Sequence, residues 1–149
     1  MRIAVIHGPN LRLLGDREPW LYGTGTLRDI DEALRELADQ LGVELETFQS
    51  NHEGEILDHL EAVAGRVQGV LINPAGLTHT SVSLRDALAG VGLPCVEVHL
   101  SNPAAREEFR RNSFVAPVSV ATVAGFGENS YLFGLRGLVK HIEESTGQA

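Results

Sequence analysis

The chain has 149 residues, 43% of them hydrophobic and 21% charged, with a formal net charge of -8. That length suits one domain with a sizeable core, and the acidic balance argues against a nucleic-acid surface, which needs Lys and Arg in excess. Lys140 is the only lysine among twelve basic residues, so the cations on offer are guanidinium forks that grip carboxylates rather than imine-forming amines.

The first expected strand, "RIAVIHG", ends at Gly8. A long connection follows, about 8 to 25, longer than the ~12–15 residues a plain loop uses. It is too apolar for simple disorder, and it sets Arg17, Trp20 and Tyr22 among the breakers Gly15, Pro19 and Gly23. This stretch, about 15 to 25, reads as a functional loop rather than a plain connection. In "TLRDIDEALRELADQLG", Leu27, Ile30, Leu34, Leu37 and Leu41 recur at helical spacing, with Thr26 and Asp29 forming a capping pair and Gly42 a stop. Strand "VELETFQS", helix "EILDHLEAVAG", strand "GVLINPAG" and helix "SVSLRDALAG" come next. Strand "PCVEVHLSN" holds Cys95, the only cysteine, which excludes a disulfide within the chain and reads as a buried thiol. A short helix is expected in "SNPAAREEFRRNS", a last strand in "VATVAGFG", and a closing helix in "SYLFGLRGLVKHIEES" with Tyr131, Leu135, Leu138 and Ile142 turned inward. Five strands alternating with helices predict a doubly wound parallel sheet with helices on both faces, over one domain spanning 1 to 149. No leader pattern and no long apolar run are visible, so a soluble, cytoplasmic protein is expected.

Ligands of such sheets bind beyond the carboxyl ends of the strands. Those ends carry His7 to Asn10, Gln49 to Glu53, Asn73 with Thr78 and His79, and His99 with Ser101 and Asn102. In the fourth strand the period of two puts Glu97, His99 and Ser101 on one face. Glu97 then accepts from one ring nitrogen of His99, fixing the tautomer and equipping the ring as an acid. Free tyrosine, with a pKa near ~10, is a poor base at neutral pH; an arginine nearby stabilises its phenolate, and Arg17 and Tyr22 supply that pair. Arg106, Arg110 and Arg111 are each candidates for a carboxylate receptor. Arg85 and Asp86 read equally well as surface charges. No phosphate loop, dinucleotide fingerprint, nucleophile elbow or metal-ligand spacing is present. The expectation is therefore acid–base chemistry with no metal and no cofactor. The competing readings are a flavin-carrying module, which would be yellow, and a Ser/His hydrolase using Ser101 or Ser81.

The stretches "HGPNLRLLGDREPWLYG", "FQSNHEGEILD", "INPAGLTHTSVSLRDAL", "VEVHLSNPAAREEFR" and "GFGENSY" resemble, in order and across nearly the whole chain, the type II 3-dehydroquinate dehydratases (type II dehydroquinases) of the shikimate and quinate pathways. The resemblance implies a flavodoxin-like fold, a dodecamer of four trimers, and no cofactor. It implies dehydration of 3-dehydroquinate to 3-dehydroshikimate through an enolate and without an imine. The stretch about 15 to 25 would be an active-site lid, Tyr22 would be the base, Arg17 its activator in that lid, and Asn10 the stabiliser of the enolate through a water. His99, supported by Glu97, would be the acid. Asn73, His79, Ser101 with the backbone of Leu100, and Arg110 would hold the substrate, and Asp86 would reach the site of a neighbouring subunit. The chain departs from the family pattern at Arg12, where Asn is usual, at Ala75-Gly76-Leu77, where Gly-Ala-Tyr is usual, and at Pro103 and Ala104.

Overall fold

Five parallel strands form one sheet in the order β2-β1-β3-β4-β5, in a computed structural model that describes residues 1–147. The strands are β1 Arg2–His7, β2 Glu44–Gln49, β3 Gly69–Asn73, β4 Cys95–His99 and β5 Ala121–Ala124. The central three read as near-continuous Val, Ile and Leu because both their faces are covered, and they are buried almost throughout. The edge strands β2 and β5 are half exposed, which suits their mixed polar sequences. This is the flavodoxin-like order, in which the chain winds first to one side of β1 and then to the other. A crevice opens beyond the strand ends at that reversal.

A one-turn helix α1, Pro19–Tyr22, interrupts the first connection; α2 Leu27–Leu41, α3 Glu53–Val63, α4 Val82–Val91 and α5 Asn129–Thr146 follow. One face of the sheet packs on α2 and α5 through Ile3, Val5, Leu71, Val96, Val98, Leu34, Leu135 and Leu138. The other packs on α3 and α4 through Ala4, Ile6, Val70, Ile72, Ile56, Leu60, Leu84 and Leu88. The alternation of these strand residues is the two-residue pleat expressed as two cores.

The expected helix ends are met in atomic detail. Thr26 accepts from the Asp29 amide at 3.2 Å while the Asp29 carboxylate accepts from the Thr26 amide at 2.9 Å, and Gly42 closes α2 at φ 69°. Ser81 caps α4 by accepting from the Leu84 amide at 2.9 Å. All four inward positions expected on α5 are buried.

Two expectations need correction. The stretch 101 to 113 is not a helix but two 3-10 turns, Pro103–Ala105 and Glu108–Arg111. Arg106 breaks between them in extended backbone, so the three arginines do not share a helix face. The stretch 15 to 25 is not all loop. Glu18 takes a left-handed φ of 41° and turns the chain into α1, whose last residue is Tyr22. Among the described residues no helix is long and apolar enough to cross a membrane.

Candidate active site

β1, β3 and β4 each end in a polar residue, His7, Asn73 and His99, and the connections beyond them enclose one pocket. Asn10, Arg17, Tyr22, Asn73, His79, His99, Leu100, Ser101 and Arg110 all line it, so nine of the eleven residues singled out from sequence meet there. Glu97 lies just beneath, only 1% exposed and in contact with His99. Asp86, on α4, is exposed and lies outside the pocket of its own chain.

The His99–Glu97 pair is as the strand period requires. Glu97 Oε2 lies 3.4 Å from His99 Nε2. Glu97 also accepts from Ser113 Oγ at 2.5 Å and from Thr122 Oγ1 at 3.2 Å. Burial pushes this carboxyl up, but the hydrogen bonds from His99 and Ser113, the His99 charge and Thr122 outweigh burial and hold it below the usual glutamate range. An ionised Glu97 directs the Nε2 proton of His99 toward itself and leaves Nδ1 for the pocket.

Tyr22 lies between two cations. The Arg17 guanidinium carbon is 5.1 Å from its ring centroid and that of Arg106 is 5.3 Å from it. Arg106 also donates to Ser101 Oγ at 3.2 Å, which ties the phenol's environment to the end of β4. Of the three arginines that the sequence left level, Arg106 and Arg110 line the pocket, while Arg111 lines the neighbouring cavity behind Glu97. Arg110 is steadied by Glu107 at 2.6 Å. Arg106 was not selected by the resemblance; only the break between the two 3-10 turns turns it toward Tyr22.

His79 Nδ1 donates to the Asn112 carbonyl at 2.7 Å, which puts a proton on Nδ1 and leaves Nε2 free of that bond. Asn10 sits at a left-handed φ of 70°. Its amide donates to Asn51 Oδ1 at 2.9 Å, and Gln49 Nε2 ties the same oxygen to the Gly8 carbonyl. Gln49 and Asn51 therefore stand behind Asn10 rather than in the pocket, a role no local pattern announces. Two other strand-end histidines fall outside the pocket. His52 is the exposed residue before α3, and His7 is fully buried between Tyr131 and Asp31. Trp20 is 83% exposed on α1, and nothing in the structure explains an indole there.

A sheet of flavodoxin order whose strand ends gather a phenol, an imidazole–carboxylate pair and several guanidiniums defines an acid–base enzyme rather than a hydrolase with a nucleophile elbow. A family model described as "Dehydroquinase class II" matches residues 1–139. The chain is 53% identical over 144 residues to a 3-dehydroquinate dehydratase of Geotalea daltonii, covering 97% of this chain and 100% of that one. It is 56% identical over 142 residues to a 3-dehydroquinate dehydratase of Desulforudis audaxviator, covering 95% of each. Among solved structures, a type II dehydroquinase from Butyrivibrio crossotus superposes with a TM-score of 0.91 at 39% identity, covering 93% of this chain and 97% of that one. The chain belongs to the class II dehydroquinase family.

Proposed function

We propose that this chain, a type II 3-dehydroquinate dehydratase, eliminates water from 3-dehydroquinate by an enolate route, with Tyr22 as base and His99 as acid. The carrying observation is that Tyr22, under the guanidiniums of Arg17 and Arg106 at 5.1 and 5.3 Å, lines the same pocket as His99 on its Glu97 anchor. The Tyr22 phenolate takes the proton from the carbon next to the ketone. The freed electron pair becomes the enolate, stabilised through Asn10 and a water it positions. Collapse of the enolate forms the carbon–carbon double bond and expels the hydroxyl, which leaves as water with the proton from His99. Asn73, His79, Ser101, the Leu100 backbone and Arg110 hold the hydroxyls and carboxylate of the substrate. No step passes through Lys140, which lies exposed on α5 and pairs with Glu144 at 3.5 Å.

The whole chain acts as one catalytic domain, with 15 to 25 as a lid that carries Arg17 and Tyr22 onto the substrate. The working enzyme is a homo-oligomer, a dodecamer of four trimers, in which Asp86 reaches the pocket of a neighbour. Asp86 is exposed and does not line the pocket of its own chain, which leaves it free for such a role, and the free thiol Cys95 suits a reducing cytoplasm. The test is to add 3-dehydroquinate to chelator-treated protein and follow the ultraviolet absorbance of the conjugated enone. Steady growth of that band, unaltered by borohydride, is expected. A flat trace overturns the reading, and a borohydride-trapped adduct on Lys140 overturns the mechanism.

A further inference from the structure

Ser113 lies 16 residues beyond Glu97, in a stretch that is neither helix nor strand, yet it is firmly placed. The Asn112 carbonyl accepts from His79 Nδ1 at 2.7 Å, and the Phe114 amide donates to the Thr78 carbonyl at 2.9 Å. Val115 is fully buried in the core on the α3 and α4 side of the sheet. From this anchored stretch the Ser113 hydroxyl reaches Glu97 Oε1 at 2.5 Å. Its oxygen meanwhile accepts from two backbone amides, that of Val115 at 3.1 Å and that of Ala116 at 2.9 Å. The other oxygen of the carboxyl, Oε2, accepts from Thr122 Oγ1 at 3.2 Å, on the register partner in β5, and lies 3.4 Å from His99 Nε2. Arg110 and Arg111 line the cavity that Glu97 also lines, and the Cys95 thiol, two residues before Glu97 on β4, is pushed up to about 12 by burial and stays neutral.

A serine hydroxyl has one proton and two lone pairs. Both lone pairs of Ser113 are taken by amides, and its proton goes to Glu97 Oε1. The contact therefore runs one way: Ser113 donates and Glu97 accepts. A carboxylate suits that arrangement and a carboxylic acid does not. A proton on Oε1 would meet a hydroxyl with no lone pair left to take it. A proton on Oε2 would turn a charge-assisted bond into a neutral one, about half as strong. This matters to His99 because ring and carboxyl compete for one proton. If Glu97 took the Nε2 proton, His99 would be left a neutral ring, and a neutral imidazole gives up its remaining N–H far less readily than an imidazolium. The departing hydroxyl would then lack its acid.

We propose that Ser113 is a positioning residue for the acid step: pinned by the Val115 and Ala116 amides, its hydroxyl offers Glu97 a donor and no acceptor, and so keeps the proton on His99. This rests on the dehydratase reading, in which His99 protonates the hydroxyl as its carbon–oxygen bond breaks. Ser113 itself exchanges no proton with substrate. Because the His99 proton is spent only as the hydroxyl leaves, loss of Ser113 lowers kcat and leaves KM nearly as it was.

Three variants and one titration test it. Ser113→Ala removes the donor, and Ser113→Thr keeps it. Ser113→Cys keeps the shape with a weak donor, and so serves if Ser113→Ala fails to fold. With 3-dehydroquinate we expect kcat to fall about ten-fold in Ser113→Ala and by part of that in Ser113→Cys, with KM within about two-fold, the scale of one hydrogen bond to a charged group. Ser113→Thr should recover most of the loss, and Ser113→Ala should add little to Glu97→Ala. The titration follows the carboxyl carbon-13 signal of Glu97 in protein labelled at glutamate. In the wild type it should titrate below the usual glutamate range, and in Ser113→Ala, or Ser113→Cys in its place, it should move up. An unchanged kcat in the variant that folds overturns the proposal, as do equal losses in Ser113→Ala and Ser113→Thr, or a Glu97 titration that does not move. The titration needs no turnover, so an inactive wild-type enzyme whose Glu97 still responds to Ser113 would fault the dehydratase reading and leave the hold on Glu97 standing.

Discussion

At Tyr22 and Glu97 single side chains carry separable consequences. Tyr22→Phe removes the proposed base and leaves the ring beside Arg17 and Arg106. Turnover should fall by ~10²-fold or more, the range of a lost general base, with binding much less affected; steady-state kinetics decide, and a near-normal kcat would take the role from Tyr22. Glu97 makes a pH prediction with a definite sign. Its folded carboxyl is held below the unfolded value. The native state therefore gains stability where both forms are ionised, above the ordinary glutamate range. That gain is lost as the pH falls through the lower, folded value. Melting temperatures taken from pH 7 down to pH 3 should drop less steeply in Glu97→Gln than in wild type. Parallel curves would mean other carboxylates govern the acid limb. The pairs within one element or loop were legible in the sequence: Glu97 with His99 by the strand period, Arg17 with Tyr22 by nearness. The partnership of His7 with Tyr131 was not, because it spans 124 positions and exists only once α5 lies over β1 and β3.

Elements decide which of these side chains can meet. The turn Ala75–His79 brings His79 to the pocket, and it starts at a non-glycine residue with φ 53°. A left-handed alanine costs about 1–2 kcal/mol, and here Asn73 Oδ1, accepting from the Ala75 amide at 3.1 Å, helps hold it. Ala75→Gly should relieve that strain at some cost in unfolded-chain entropy, raising stability by about 0.5–1 kcal/mol net. Chemical denaturation measures it; a loss of stability would mean the Ala75 methyl packs better than the strain costs. The reverse holds at Gly8, where a Cβ would meet the Pro74 carbonyl oxygen at 2.5 Å. Hydrophobic spacing delivered the strands and long helices because burial on a face dictates residue period. It misjudged 101 to 113, where charged residues every few positions imitate a helix. Pro103 and the extended backbone at Arg106 broke it. The same break is why Arg106 could not be told from Arg110 and Arg111.

For the whole molecule, the two-core construction protects what lies in the sheet. Cys95 is 1% exposed, and burial above all pushes its thiol up to about 12. A thiol reagent at pH 8 should label only molecules that have opened, so its rate should follow denaturant concentration as unfolding does. Rapid labelling of the native protein would show a local opening at β4 instead. Assembly makes the other prediction at this scale. If Asp86 completes a neighbour's pocket, Asp86→Ala and Tyr22→Phe chains, each nearly inactive alone, should regain activity when dissociated together and reassembled. No recovery would confine Asp86 to a structural role. A parallel sheet with helices on both faces was readable from the alternation; its strand order was not, and only the family resemblance pointed to the flavodoxin-like arrangement. The subunit count was not readable either, since a surface residue such as Asp86 looks the same whether it meets water or a partner.

The exposed indole on α1 has a practical corollary. Trp20 is the only tryptophan of the chain and stands two residues from Tyr22. Its emission therefore originates wholly from the segment that bears Tyr22, with no tryptophan background from the core. At 83% exposure it should emit at the long wavelengths of an indole in water. Any approach of that segment to ligand or to another subunit should shift the band to the blue. The enzyme thus comes with its own optical gauge, readable in a stopped-flow mixer without a label.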